Sequence, residues 1–118
     1  MNNPPRKDYK VTNTRHAPAA DTAAVATLSG AAGKVLVVDQ IVWSYSIKNA
    51  AAETLTVESP SGTTIFGIDI PIPAADTIPA PQNIPFHAGL DGALGEDVIV
   101  TLSASSGTNL GKVNVLYH

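Results

Sequence analysis

Apolar and polar residues alternate with a period of two along most of this chain, and the alternation is least regular in GKVLVVDQIVWSYSIK, residues 33–48. The run predicts a long strand over 34–47. One set of alternate positions is Val35, Val37, Asp39, Ile41, Trp43, Tyr45 and Ile47; the other is Leu36, Val38, Gln40, Val42, Ser44 and Ser46. A strand of a small antiparallel domain has one apolar and one polar face. Here the first set is apolar except at Asp39, and the second is still apolar at Leu36, Val38 and Val42. Two arrangements account for this. Either another subunit covers Leu36, Val38 and Val42, or a bulge near Asp39–Gln40 switches the phase, so that Leu36 and Val38 face inward before it and Ile41 and Trp43 after it. Periodicity alone does not separate them.

The rest of the chain also reads as strands. Residues 22–28, TAAVATL, form a weak strand or a helical turn, their alanines suiting both. ETLTVE at 53–58 places Leu55 and Val57 inward. SPSG at 59–62 has Pro60 second and Gly62 fourth, as a type I turn favours. TTIFGIDIPI at 63–72 lines Phe66, Ile68, Ile70 and Ile72 on one face. Five of the nine prolines fall between Pro71 and Pro85. Proline has no N–H for a ladder, so this stretch reads as a stiff crossing and not as a central strand. A short edge segment around Phe86 and a Gly-rich loop follow. DVIVTLS at 97–103 directs Val98, Val100 and Leu102 inward, and KVNVLYH at 112–118 does the same with Val113, Val115 and Tyr117. Seven to eight strands separated by Gly, Pro, Ser and Asn clusters predict an all-β antiparallel sandwich or jelly roll over residues 21–118.

Residues 1–20 differ in character. They hold Pro4, Pro5 and Pro18 and few large apolar side chains, and they read as an extended arm. Arg6, Lys7, Lys10 and Arg15 against Asp8 give residues 1–15 a charge of +3, leaving three basic and nine acidic residues, −6, for the remainder. A basic arm on an acidic body suits a partner outside its own domain, although a solvated terminus has the same composition. Arg6, Lys7, Tyr9, Lys10, Val11 and Arg15 are the candidate contact residues. Arg6, Lys7, Tyr9, Lys10 and Arg15 also have the types for phosphate contacts and base stacking, but the acidic body would repel a nucleic-acid backbone, so a protein surface is the preferred partner.

Composition removes several classes of function. The chain has 118 residues and no cysteine, which excludes disulfides and thiolate metal sites. No apolar run approaches the roughly 18 residues of a membrane helix, and the basic N-terminal residues are not followed by the apolar stretch of a signal peptide. His16, His87 and His118 have no ligand spacing between them. Glu96 and Asp97 are neighbours and would point to opposite faces of a strand. No nucleophile elbow, phosphate-binding loop or dinucleotide fingerprint occurs. No catalytic residue, cofactor or metal is predicted, and the reading is non-enzymatic.

The order of segments, LSGAAGKVLVVDQIVWSYS, ETLTVESPSGTTIFGIDIPI, a proline-rich crossing, GLDGALGEDVIVTLSASSG and KVNVLYH, resembles small jelly-roll capsid decoration (cement) proteins of tailed bacteriophages over residues 25–118. The likeness is one of layout and composition and has no residue motif. It implies a homotrimer on the capsid exterior of a virion, with the major capsid protein as partner and an N-terminal arm reaching across the shell. Related folds serve as neck, tail and head-fibre components. A carbohydrate-binding or adhesion module is the alternative from another class; against it, the aromatics Trp43, Tyr45, Tyr117, Phe66 and Phe86 fall mostly on predicted core faces.

Overall fold

The computed structural model describes residues 14–72, 82–105 and 108–118. Among these residues eight strands run in chain order: β1 (Thr14–His16), β2 (Ala24–Leu28), β3 (Val37–Tyr45), β4 (Glu53–Glu58), β5 (Thr64–Ile70), β6 (Gln82–Asp91), β7 (Val98–Leu102) and β8 (Gly111–Tyr117). They form two four-stranded sheets, ordered β1-β8-β3-β6 and β2-β7-β4-β5, and every pairing is antiparallel. This strand order, with the chain crossing repeatedly between two packed sheets, is that of a jelly roll.

The core follows from the alternation. Ala24, Ala26 and Leu28 of β2 point inward between exposed Val25 and Thr27, so the alanine-rich segment is a strand and not a helical turn. Leu55, Val57, Val98, Val100, Leu102, Val113 and Val115 are fully buried, on the faces their spacing assigns. Tyr117 is only half-buried at the end of its strand. Ile72, expected inward, is 52 % exposed because Pro71 follows the last strand residue, Ile70.

In β3 the phase switches. Val38 pairs with Tyr117 and Gln40 with Leu116, so Asp39 is an extra residue opposite β8. Val38 and Ile41 are both fully buried although three positions apart, which a regular strand does not allow. The bulge makes the change, and Trp43 and Tyr45 continue the inward face after it. On the other flank β6 bulges as well, setting residues 86–89 against Asp39. Gly89 has φ +77° there, and a Cβ at this position would run into the Val37 side chain, so glycine is required on both counts.

Three expectations are corrected by position. Thr14–His16, expected within the arm, is an edge strand on β8. The segment around Phe86 is a ten-residue strand; it lies at the edge of its sheet, where Pro85 is tolerated, and Phe86 meets Phe66 edge to face at 5.0 Å across the two sheets. The turn after β4 is framed one residue later than expected. Thr63 N–H donates to Pro60 O at 3.0 Å, which puts Gly62 third with φ +90°, the type II arrangement.

Tyr45 closes one end of the core. Its hydroxyl donates to Ser103 O at 2.7 Å. Burial pushes the phenol up to about 12, with the Ser103 side chain acting the other way and the nearby Glu53 carboxylate adding to the rise. A raised value in the folded state means that stability is intact below the ordinary phenol range near 10 and is lost as pH climbs from there towards 12. Denaturant unfolding measured across that interval is expected to show a loss of about 2–3 kcal/mol that Tyr45→Phe abolishes.

Candidate functional site

The arm candidates separate into two groups. Arg6, Lys7, Tyr9, Lys10 and Val11 lie outside the described residues. Arg15 belongs to β1, where it pairs opposite Asn114 in the body of the domain. The expected boundary at residue 20 therefore moves back, and the first described residue, Thr14, is already in a sheet. The next element is tied to this strand by His16, whose Nδ1 accepts the Val25 N–H at 2.8 Å. Val25 lies on β2, the edge strand of the opposite sheet, so β1 joins the edges of both sheets.

The three interface candidates do not share a surface. Val38 is fully buried in the domain's own core, and Leu36 packs against that core half-buried. Neither is available to a neighbour in the way a two-sided strand would require. Val42 alone lies on the outer face, paired between Asn83 of β6 and Asn114 of β8 and half-covered by its own sheet. One extra backbone residue, Asp39, accounts for the apolar second face.

Of the histidines, two come together. His118 Nδ1 lies 2.7 Å from Asp39 Oδ2. His118, Asp39, His87 and Asp91 line a polar cavity of about 240 Å³ formed where the two bulges meet. His16 is elsewhere, occupied with Val25. Among the described residues no group of three or more His, Asp or Glu has the geometry to hold a metal ion. Nor is any described helix long and apolar enough to cross a membrane. The aromatic residues pack: Trp43 and Tyr45 are buried and meet edge to face at 5.9 Å. Trp43 also lines a cavity of about 310 Å³ with Asp69, Gln82 and apolar neighbours between β5 and β6.

One end of the jelly roll has a feature that the chain's pattern does not announce. The β6–β7 connection makes a tight turn in which Glu96 N–H donates to Ala93 O, with Gly95 third at φ +74° and Leu94 second. Leu94 is 67 % exposed, more than Ile72 at 52 %. The turn is nonetheless held on several sides. Gly95 N–H donates to Lys34 O at 2.7 Å and Gly92 N–H to Leu36 O at 2.8 Å. Asp97 Oδ1 accepts the Gly30 N–H at 2.7 Å. Buried Ser59, from the β4–β5 turn, donates to Asp97 O and accepts from Ala93 N–H, both at 2.8 Å. Gly30 packs so closely on the Glu96 backbone that a Cβ there would collide with it. Three connections are thus clamped into one unit that presents a leucine to solvent. The only trace of this in the sequence is a lone large apolar residue inside GALG.

The jelly-roll fold defines the class of this protein, a two-sheet antiparallel β-sandwich with no helix among the described residues. No family model, no curated protein and no solved structure matches it.

Proposed function

We propose that this protein is a non-enzymatic structural component of a phage virion, a trimer that decorates the capsid exterior and bridges neighbouring copies of the major capsid protein. The observation that carries the reading is the eight-strand jelly-roll order beneath a segment layout like that of the decoration proteins. The charge division supports it, with a basic segment entering an acidic body at a sheet edge. The mechanism is mechanical. Each bound copy adds contacts to the assembled lattice and none to the dissociated subunits, so the lattice is stabilised by linkage.

Charge and backbone make separable contributions to attachment. Exposed attractions are screened over about 8–10 Å at ordinary ionic strength, while ordering a segment costs roughly 1–2 kcal/mol per residue fixed. Backbone pairing by Tyr9–Thr12 with a capsid strand would offset that cost. Cosedimentation with empty capsids tests this with three proteins: full length, a deletion of residues 1–13 that leaves β1 in place, and a variant with Ser at Arg6, Lys7, Lys10 and Arg15. The deletion is expected to remain folded and bind weakly. The Ser variant should reproduce that loss at low salt and differ little from full length at high salt. Unchanged binding by the deletion at both salt concentrations would move attachment onto the jelly roll itself.

A further inference from the structure

His16 joins β1 to the second sheet through an acceptor that exists in one protonation state alone. It stands opposite Val113 of β8, and directly opposed residues of an antiparallel pair share a face. Val113 is fully buried, so the half-buried imidazole is on the inner side of its sheet. From there its Nδ1 accepts the Val25 N–H of β2 at 2.8 Å. A ring nitrogen accepts only while it carries no proton, and both nitrogens of an imidazolium are donors. A proton on Nδ1 would set one N–H against another.

The surroundings offer a charged ring nothing in exchange. β1 packs against β8 and β2. β2 is AVATL, without an ionisable group, and neither has its neighbour β7, VIVTL. On β8, Lys112 alternates with the buried Val113 and lies on the outer face. Tyr117 is four residues beyond Val113, about 13 Å along the strand, and His118 follows it. Arg15, the preceding residue of β1, is itself a cation, and Asp21 in the β1–β2 connection is exposed. Little else holds β1, which has three register positions on β8 and no large apolar side chain. Among the described residues the Val25 bond is its one hydrogen bond to the second sheet.

We propose that His16 is a pH-sensitive latch for the N-terminal segment: neutral, it ties β1 to β2; protonated, it lets β1 leave the edge of the sandwich. Histidine is the side chain that changes charge between pH 8 and pH 5, so the latch is closed at the upper end of that interval and open at the lower. Opening frees Thr14–His16, about 10 Å of extended chain, and adds a positive charge to a segment that already carries +3. The latch goes beyond the capsid reading and does not depend on it, because it operates in the free protein.

Amide hydrogen exchange followed by NMR on the full chain, expressed as protection factors at pH 7.5 and pH 5, tests the latch. Protection of the Val25 amide is expected to fall about five- to tenfold at the lower pH, the worth of one net hydrogen bond. Val100, in the interior strand β7, should keep its protection, and circular dichroism should show the core folded at both values. His16→Asn supplies a side-chain oxygen that accepts without titrating, so Val25 should stay protected at both. His16→Phe has no acceptor and should be weakly protected at both. Equal Val25 protection in the wild type at the two pH values overturns the latch. So does a His16→Phe protein as well protected as the wild type at pH 7.5, or a His16→Asn protein that retains the pH dependence, which would assign it to another group.

Discussion

Val38→Asp is expected to unfold the domain, while Val42→Asp, four positions along the same strand, is expected to leave it folded. In an uninterrupted strand the two residues would share a face, and the substitutions would have similar effects. Across the Asp39 bulge they do not. Val38 is fully buried in the core, and a carboxylate placed there has no partner and little water. That penalty of several kcal/mol is comparable with the whole stability of a small domain, about 5–15 kcal/mol. Val42 lies half-covered on the outer face between Asn83 and Asn114, where the cost is on the order of the ~1 kcal/mol span of strand propensities. Thermal melts followed by circular dichroism decide it. Equal losses at the two positions would contradict the bulge. A folded Val42→Asp protein that has lost a wild-type oligomer would place a subunit contact on the outer face.

Ser59→Ala is expected to be the most damaging loss of a single hydroxyl. The Oγ of Ser59 joins Ala93 N–H to Asp97 O, and the residue is 3 % exposed. Removing it leaves a donor and an acceptor unsatisfied, at about 1–3 kcal/mol each when buried. The midpoint of urea unfolding should fall with little change in its slope. Hydrogen exchange at the amides of residues 92–97 should accelerate more than exchange in β8, because local opening of the turn becomes easier before global unfolding does. A stability change within about 0.5 kcal/mol, the usual range for surface substitutions, would show that the clamp is redundant.

The parts of the fold that were legible in the sequence are those in which one residue pattern has one meaning. ETLTVE, VIVTL and the KVNVLY segment of β8 alternate without interruption, and their inward positions are the buried ones. The β3 run was ambiguous because one extra residue reverses every later side chain without altering composition. β1 was hidden for a different reason. Thr-Arg-His has no apolar signal of its own, and the strand exists because β8 offers it an edge. Pro85 correctly denied β6 a central place but obscured its length, which the edge position permits. Ser59 read as an ordinary turn serine, since nothing local shows that its hydroxyl meets a loop more than thirty residues away. Of the candidate site, Leu36 and Val38 were correctly seen as apolar residues in need of cover, and the cover proved to be the domain's own core. The arm residues Arg6, Lys7, Tyr9, Lys10 and Val11 lie outside the described residues, so their role rests on their chemistry.

Calorimetry of capsids stripped of this protein, before and after adding it back, tests the central claim most directly. A molecule that binds only the assembled lattice must raise the lattice's melting temperature, and by more as its free concentration increases above the dissociation constant. The account predicts a saturable upward shift, reached at a fixed ratio of protein to capsid subunit and diminished by deleting residues 1–13. A melting temperature that stays the same at saturating protein, with all of the protein recovered free, would contradict it.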